Sequence, residues 1–175
     1  MVDLRPRTPP KKLKEILTIS GCFKFLDALT DLAVPPGTNF DPPPERRHEL
    51  RQMIVTLSGL ASYAGNDGIW KWLIEDGQAH WFAKAQFWLK QIGAARTRAY
   101  LDAAAAAFPQ GRIPKDDSKR ADLILECEEV EAKLDETDRT YKGSFDEMAE
   151  CLRVYIQQNF ELFRKELEDE KNRVV

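Results

Sequence analysis

Carboxylates are the most numerous side chains in this sequence with the capacity for chemistry. The chain of 175 residues has 29 aspartates and glutamates, 26 lysines and arginines, and two histidines. Two carboxylates in a cleft can perform general acid–base catalysis, but abundance alone locates no such pair. His48 and His80 lie far apart, and neither has a second ligand residue at a recognisable metal spacing. We therefore predict that the protein is not an enzyme and uses no metal or cofactor.

The three cysteines lack the sequence features of reactive or metal-binding thiols. Cys22, Cys127 and Cys151 form no CxxC pair, and we expect structural thiols in a reducing cytoplasm. The sequence contains no dinucleotide-binding GxGxxG, no P-loop and no GxSxG nucleophile elbow. Its longest apolar run, residues 103–108, is far shorter than the ~20 residues that span a bilayer. These features predict a cytoplasmic protein without a membrane partner.

Four tryptophans lie within a stretch of nineteen residues, and they allow two interpretations. Trp70, Trp72, Trp81 and Trp88 suit the buried faces of helices, and each buries a large apolar area, which favours an aromatic core. The alternative is that they line a pocket. In that case the protein would bind a small molecule or act as an enzyme at the tryptophan cluster.

Charge is divided unevenly along the chain. The formal net charge is -3, but residues 1–120 contain 18 basic and 13 acidic side chains, a balance of +5. Residues 121–175 contain 8 basic and 16 acidic side chains, a balance of -8. An acidic segment of this kind is typical of a solvated face or of a surface that binds a basic partner. The acidic C-terminal third is therefore the main physical indication of function.

Seven acids of this third recur at helical spacing and predict two neighbouring faces of one helical segment. They are Asp122, Glu126 and Glu129 on one face, and Glu128, Glu131, Asp135 and Asp138 on the other. A step of four residues rises about 6 Å along a helix, close to two ~3.4 Å phosphate steps along a DNA strand. Such a row can imitate phosphates. The alternative is a solvated face with ordinary pairing to Lys133 and Arg139.

The elements that must position these acids are all predicted to be helices. Apolar residues follow the helical period along most of the chain, and no segment alternates as a strand would. Residues 1–10 are predicted to be a basic, proline-containing arm, and residues 11–175 a single helical domain. The fold class is therefore all-α: a single-domain bundle of about six to eight helices with a long C-terminal helix.

Turn and capping residues predict where these helices begin and end. Gly21 interrupts the first helical segment, and Gly93 lies in a turn between two later helices. One continuous helix is expected through Cys127, capped by Asp116, Asp117 or Ser118. Ser144, followed three residues later by a glutamate, has the capping-box pattern and is expected to begin the long final helix.

The middle of the chain resembles a known family. The segment Glu75-Asp-Gly-Gln-Ala-His-Trp-Phe82, the turn Ile92-Gly93-Ala94 and the helix end Phe108-Pro109 occur in the order seen in the bacterial DNA-mimic-protein family, an all-helical domain of unknown function. The resemblance covers about residues 66–120. In one characterised branch, it implies an acidic surface that is presented to a DNA-binding transcription factor.

Charge and resemblance together predict a non-enzymatic interaction protein of the cytoplasm. Its seven helical acids are expected to engage a basic protein, of the kind represented by a DNA-binding transcription factor. Direct binding to nucleic acid is not expected, because the basic arm has neither interleaved aromatic residues nor a recognition-helix pattern. The sequence leaves the identity of the partner and the oligomeric state open.

Overall fold

The protein consists of short and medium-length α-helices. A computed structural model describes residues 12–34, 49–74 and 79–168, and within these residues it contains ten α-helices and no strand. In chain order they are α1 (Leu13–Ile16), α2 (Cys22–Ala33), α3 (Glu49–Asn66), α4 (Ile69–Ile74), α5 (Phe82–Ile92), α6 (Ala95–Ala106), α7 (Asp117–Glu126), α8 (Glu128–Thr140), α9 (Ser144–Gln158) and α10 (Phe160–Glu168). The predicted all-α class is confirmed.

The helices pack around one apolar core. Helix α3 packs between α2 and α4, α6 contacts both α5 and α9, and α10 returns to α1 and α2. Phe25 and Phe163 are fully buried in this core, and complete burial of such a side chain stabilises the fold by roughly 1.5–3 kcal/mol. Trp72, Trp81 and Trp88 are at most 5% exposed, so these three tryptophans belong to the core.

A buried arginine fastens three helices together. Arg51 of α3 donates from Nη1 to the carbonyl oxygen of Ala33 at 2.7 Å, at the end of α2. Its Nη2 donates to the carbonyl oxygen of Glu166 in α10 at 2.5 Å, and its Nε lies 3.4 Å from the same residue's carboxylate. A charge buried in the interior costs free energy unless it is hydrogen-bonded in this way. Arg51 thereby fixes the C-terminal helix against the first half of the chain.

Two predicted turns are confirmed. Gly21 separates α1 from α2 with a φ of 89°, and Gly93 ends α5 with a φ of 79°. After Gly93, the amide of Ala94 donates to the carbonyl oxygen of Leu89 at 2.9 Å, so the left-handed glycine closes the helix and turns the chain into α6. The predicted arm of residues 1–10 and His48 lie outside the described residues.

Two helices that were predicted to be continuous are broken. Cys127 has an extended backbone, with φ -104° and ψ 96°, and divides the acidic segment into α7 and α8. Asn159, with φ -115° and ψ 28°, divides the long C-terminal helix into α9 and α10. At each break the carbonyl oxygen of Cys127 or of Asn159 accepts two amides from the first turn of the next helix. These breaks and two short helices raise the helix number above the predicted six to eight.

The predicted capping box at Ser144 is wrong. Gly143 has a left-handed φ of 80° and precedes the helix, so Ser144 is the first helical residue, and its buried hydroxyl has no hydrogen-bond partner. Glu147 instead reaches another helix and accepts the amides of Arg96 at 3.0 Å and Thr97 at 3.3 Å. The same glutamate that suggested a cap for α9 therefore caps α6, whose own N-cap residue has no side-chain hydrogen bond.

Candidate protein-interaction surface

Helix α7 is held in place by its cap and by two inward side chains. Asp116 accepts the amide of Lys119 at 2.8 Å, which satisfies one of the unpaired donors at the start of the helix. Ile124 and Arg120 are 3% and 1% exposed, and the helix packs against α4 and α8. The face that carries Asp122 and Glu126 is left toward solvent.

Arg120 directs its positive charge into the protein. Its Nε donates to the carbonyl oxygen of Leu73 at 2.6 Å, and its Nη1 donates to that of Pro114 at 2.9 Å. Its Nη2 is hydrogen-bonded to the Asp117 carboxylate of the same helix. Because the guanidinium is buried and fully engaged, it does not neutralise the acids on the outer face of α7.

Helix α8 begins with acids and buries one apolar stripe. Glu128, Glu129 and Glu131 lie in its first turn, where the positive end of the helix dipole favours carboxylates. Val130 and Leu134 are at most 3% exposed and bind the helix to the core. The acidic first turn is a helix-start signal, and it explains why the chain can begin a new helix after Cys127.

Five of the seven predicted acids are exposed and make no ion pair within the described residues. These five, which we call the acidic surface, are Asp122, Glu126, Glu128, Glu131 and Asp135. The remaining two acids differ. Glu129 is exposed but accepts the Lys133 ammonium at 2.7 Å, which lowers the pKa of Glu129 through the hydrogen bond and the nearby charge.

Asp138 is partly buried and points toward two neighbouring helices. Its Oδ1 accepts the Tyr100 hydroxyl at 2.5 Å and the amide of Ile69 at 3.1 Å, so it joins α8 to α6 and to the start of α4. Burial raises the pKa of Asp138, and the two donors only partly oppose this rise. Burial and the neighbouring carboxylate also raise the pKa of Tyr100, which keeps the phenol protonated as a donor.

The break at Cys127 changes the predicted rows of acids. Asp122 and Glu126 belong to α7 and Glu129 to α8, so these three do not share one helical face. The second predicted row is kept in part, because Glu128, Glu131 and Asp135 all lie on α8. At 100° a residue they fall within an arc of about 60°, and they span about 10 Å along the helix.

The basic residues of α7 and α8 leave this surface largely unneutralised. Residues 117–140 contain nine acids and four bases, a balance of -5. Arg120 is buried, Lys133 pairs with Glu129, and Arg139 lies 3.2 Å from Glu136. Lys119 is the exposed base that remains. The local excess of negative charge is therefore concentrated on the outer faces of the two helices.

Sequence reasoning missed an apolar residue among these acids. Leu125 is 66% exposed on α7, beside Asp122 and Glu126. The helical period could have predicted this exposure. Ile124 occupies the buried position of this turn, so Leu125 must point away from the core. A single exposed leucine is common on protein surfaces, but here it adds apolar contact area to a charged face.

Comparison with known proteins assigns the chain to a family. A family model described as DMP19-like protein matches residues 45–159, about two thirds of the chain. The chain belongs to the DMP19-like family. The DNA-mimic resemblance found in the sequence is thereby confirmed. Searches of curated proteins and of solved structures found no match.

The DMP19-like match is wider than the resemblance that the sequence suggested. The resemblance covered about residues 66–120 and left the seven predicted acids outside it, whereas the family match covers residues 45–159 and includes α3 to α9. All seven predicted acids therefore lie inside the DMP19-like region. The acidic surface belongs to the part of the chain that defines the family, not to an appended segment.

The Cys22 thiol is held inside this DMP19-like fold. The Cys22 thiol is buried and donates to the carbonyl oxygen of Phe145 at 3.2 Å. Burial and then the Asp146 carboxylate raise the pKa of Cys22 to about 11, so it remains a thiol. Within the described residues, no three potential metal ligands are grouped and no helix is long and apolar enough to cross a bilayer.

Proposed function

We propose that this DMP19-like protein is a non-enzymatic DNA mimic of the cytoplasm whose acidic surface binds the basic face of a DNA-binding protein. The observation that carries the proposal is the set of five exposed acids on α7 and α8 that make no ion pair within the described residues. Carboxylates already paired with lysine or arginine would offer a partner little net charge.

The spacing on α8 supports the comparison with DNA. Glu128, Glu131 and Asp135 span about 10 Å, which is close to three phosphate steps along one DNA strand. Lysines and arginines that are spaced to neutralise successive phosphates can therefore meet successive carboxylates. A helix holds these charges in one register, whereas a flexible acidic tail would lose conformational entropy on binding.

Charged and apolar contacts are expected to affect different steps of binding. The negative face attracts a cationic partner over a Debye length of about 8 Å at physiological salt and thereby raises the rate of encounter. Leu125, which is 66% exposed among the acids, can be buried only after the two surfaces meet. Its burial removes apolar area from water and slows dissociation.

Competition with DNA tests the proposal directly. DNA-binding proteins from an extract of the source cells are loaded on immobilised double-stranded DNA, and the column is washed with the full chain. A mimic releases its partner from the DNA, and the released protein is then identified. The triple variant Glu128→Lys, Glu131→Lys and Asp135→Lys should release it at least about tenfold less well, since three attractive charges become repulsive.

A matched control separates surface geometry from total charge. The variant Glu15→Lys, Asp27→Lys and Asp31→Lys makes the same change in net charge at exposed positions of α1 and α2. It should release the partner as the natural chain does. The proposal is contradicted if the two variants release the partner from DNA equally well, whether both have lost this activity or both retain it. It is also contradicted if the natural chain releases no protein.

A further inference from the structure

A cavity of about 460 Å³ lies at the end of α8 away from the acidic first turn. Its walls come from the start of α2, the end of α3 with its link to α4, the middle of α6, and the end of α8 with its link to the first turn of α9. No tryptophan lines this cavity, so it is distinct from the pocket that the tryptophan cluster suggested. Its size is within the usual range for sites that bind small organic groups.

Four aromatic rings form the apolar walls of the cavity. Tyr100 is the centre of the group: its ring centroid lies 5.9 Å from that of Tyr141 and 5.6 Å from that of Phe145, the latter edge to face. Phe23, which is 43% exposed, adds a ring at the rim. The faces of such rings carry partial negative charge and attract organic cations.

Carboxylates outnumber cations around these rings. Asp67, Asp138 and Asp146 line the cavity, and Lys142 is the basic residue of the lining. The Oδ1 of Asp138 is occupied by two donors, but its Oδ2 receives only the 3.3 Å contact from Ile69 and retains acceptor capacity. The lining therefore combines apolar faces with an excess of negative charge, which suits a cation and disfavours an anion.

Two glycines allow the rings and the carboxylate to reach these positions. A Cβ atom at Gly65 would lie 2.8 Å from the Phe23 ring, so a larger residue would displace the rim. A Cβ atom at Gly68 would lie 2.5 Å from the Asp138 carboxylate, and Gly68 also has a φ of 96° that other residues rarely adopt. The backbone of the α3–α4 link is thus shaped around the cavity lining.

We propose that this cavity binds a guanidinium group carried on an aliphatic stem, the chemistry of an arginine side chain. A planar guanidinium can stack on an aromatic face while its edge donates to carboxylates, which a compact ammonium does less well. The apolar ring faces accommodate the aliphatic stem. This inference does not rest on the proposed function, because the cavity and the acidic surface have no residue in common.

The test titrates the full chain with a blocked arginine, N-acetyl-L-arginine N′-methylamide. Binding is monitored by the NMR chemical shifts of the protein's amide and aromatic groups. Saturable binding with a Kd of about 1 mM or lower is expected, with the largest shifts at Gly68 and Tyr141. Blocked citrulline, which has the same shape without the charge, should bind at least about tenfold more weakly. Equal binding of the two compounds, or no saturable binding of blocked arginine, overturns the proposal.

Variants of exposed lining residues test the site without disturbing the core. Asp67→Asn should weaken binding of blocked arginine at least about threefold, whereas Lys142→Gln should strengthen it because a competing cation is removed. Phe23→Leu keeps apolar volume but removes a ring, and should weaken binding. Asp31→Asn, the same change on α2 outside the cavity, should have no effect. If neither Asp67→Asn nor Lys142→Gln changes the affinity for blocked arginine, the assignment of the site to this cavity is overturned.

A comparison with agmatine distinguishes the source of the group. Agmatine has the guanidinium and stem but no peptide groups, so stronger binding of blocked arginine indicates an arginine within a protein, and stronger binding of agmatine indicates a free amine. Either order supports a guanidinium site. Absence of binding would leave the DNA-release experiment unaffected, since that experiment depends on the acidic surface of α7 and α8.

Discussion

At the scale of single residues, Asp138 shows how one residue type serves two purposes in the same helix. It has the helical spacing of the exposed acids of α8, yet its carboxylate accepts the Ile69 amide and the Tyr100 hydroxyl. Spacing along α8 could not reveal this, because the two donors come from residues 69 and 38 positions earlier in the chain. An isolated helix pattern predicts which acids share a face but not which of them meets another helix.

The raised pKa of Asp138 predicts a pH-dependent stability. Burial raises the pKa in the folded state above the ordinary value of about 3.9. In the pH range between these values the folded protein binds more protons than the unfolded chain, so this residue's contribution to stability falls as pH rises. Urea unfolding of the natural protein and of Asp138→Asn from about pH 3.5 to 6.5 measures the effect.

The informative quantity is the change in the free energy of unfolding with pH rather than its absolute value. Asp138→Asn removes the titration, and any loss of hydrogen-bond strength adds an offset that does not follow this titration. The free energy of unfolding of the natural protein, relative to the variant, should therefore decrease as pH rises through this range. A relative increase would show that the carboxylate is stabilised in its ionised form and would contradict the role assigned to burial.

At the scale of elements, apolar periodicity predicted helix positions better than helix ends. The segments that became α2, α3 and α5 were predicted because their apolar residues recur at helical spacing. The segment that became α6 was predicted because alanine has the highest intrinsic helix propensity. An interruption at Gly21 and a turn at Gly93 were predicted because glycine often ends a helical pattern, and both residues have a positive φ in the structure. These features are local, so a single sequence contains enough information to place them.

The breaks at Cys127 and Asn159 were not predicted because neither contains glycine or proline. Local preference alone would continue each helix, and tertiary packing can override such a preference. The acids at the start of α8 gave a local sign of a new helix, through their favourable interaction with the helix dipole. Without a recognised break, the acids of α7 and α8 were assigned to two neighbouring faces of a single helix.

The contact between Glu147 of α9 and the start of α6 is predicted to stabilise the fold. Glu147→Ala removes the acceptor of the Arg96 and Thr97 amides and leaves the start of α6 without its side-chain cap. The free energy of unfolding should fall by about 1 kcal/mol, the usual cost of losing a helix cap. Urea unfolding measures the loss.

A conservative change provides the control for this cap. Glu147→Gln retains an amide oxygen that can accept the same two backbone donors, so most of the stability should remain. If Glu147→Ala unfolds at the same urea concentration as the natural protein, the contact does not cap α6. If both variants lose equal stability, the negative charge rather than the acceptor supports the helix start.

At the scale of the whole molecule, a net charge of -3 conceals a directional distribution. The helices α7 and α8 and the link between them have a balance of -5, and their bases are mostly buried or paired. The sequence predicted this segregation along the chain, but it could not show that Arg120 turns inward. The inward arginine requires the carbonyl groups of Leu73 and Pro114, which only the folded chain brings together.

This distribution predicts that salt acts chiefly on association. The experiment measures binding of this protein to the partner that it releases from immobilised DNA. The association rate constant should fall steadily as the sodium chloride concentration rises from about 0.05 M to about 0.5 M, because screening shortens the range of attraction. The dissociation rate constant should change less, since contacts made after docking determine it. Stopped-flow mixing and surface-based kinetics measure the two constants separately.

Two variants separate the charged contribution from the apolar one. The triple reversal of Glu128, Glu131 and Asp135 to lysine should lower the association rate constant and flatten its dependence on salt. Leu125→Ala should leave that dependence unchanged and raise the dissociation rate constant by about tenfold or less, because less apolar area is buried in the complex. If the reversal acts only on dissociation, long-range steering by the acidic surface is not what brings the partner to this protein.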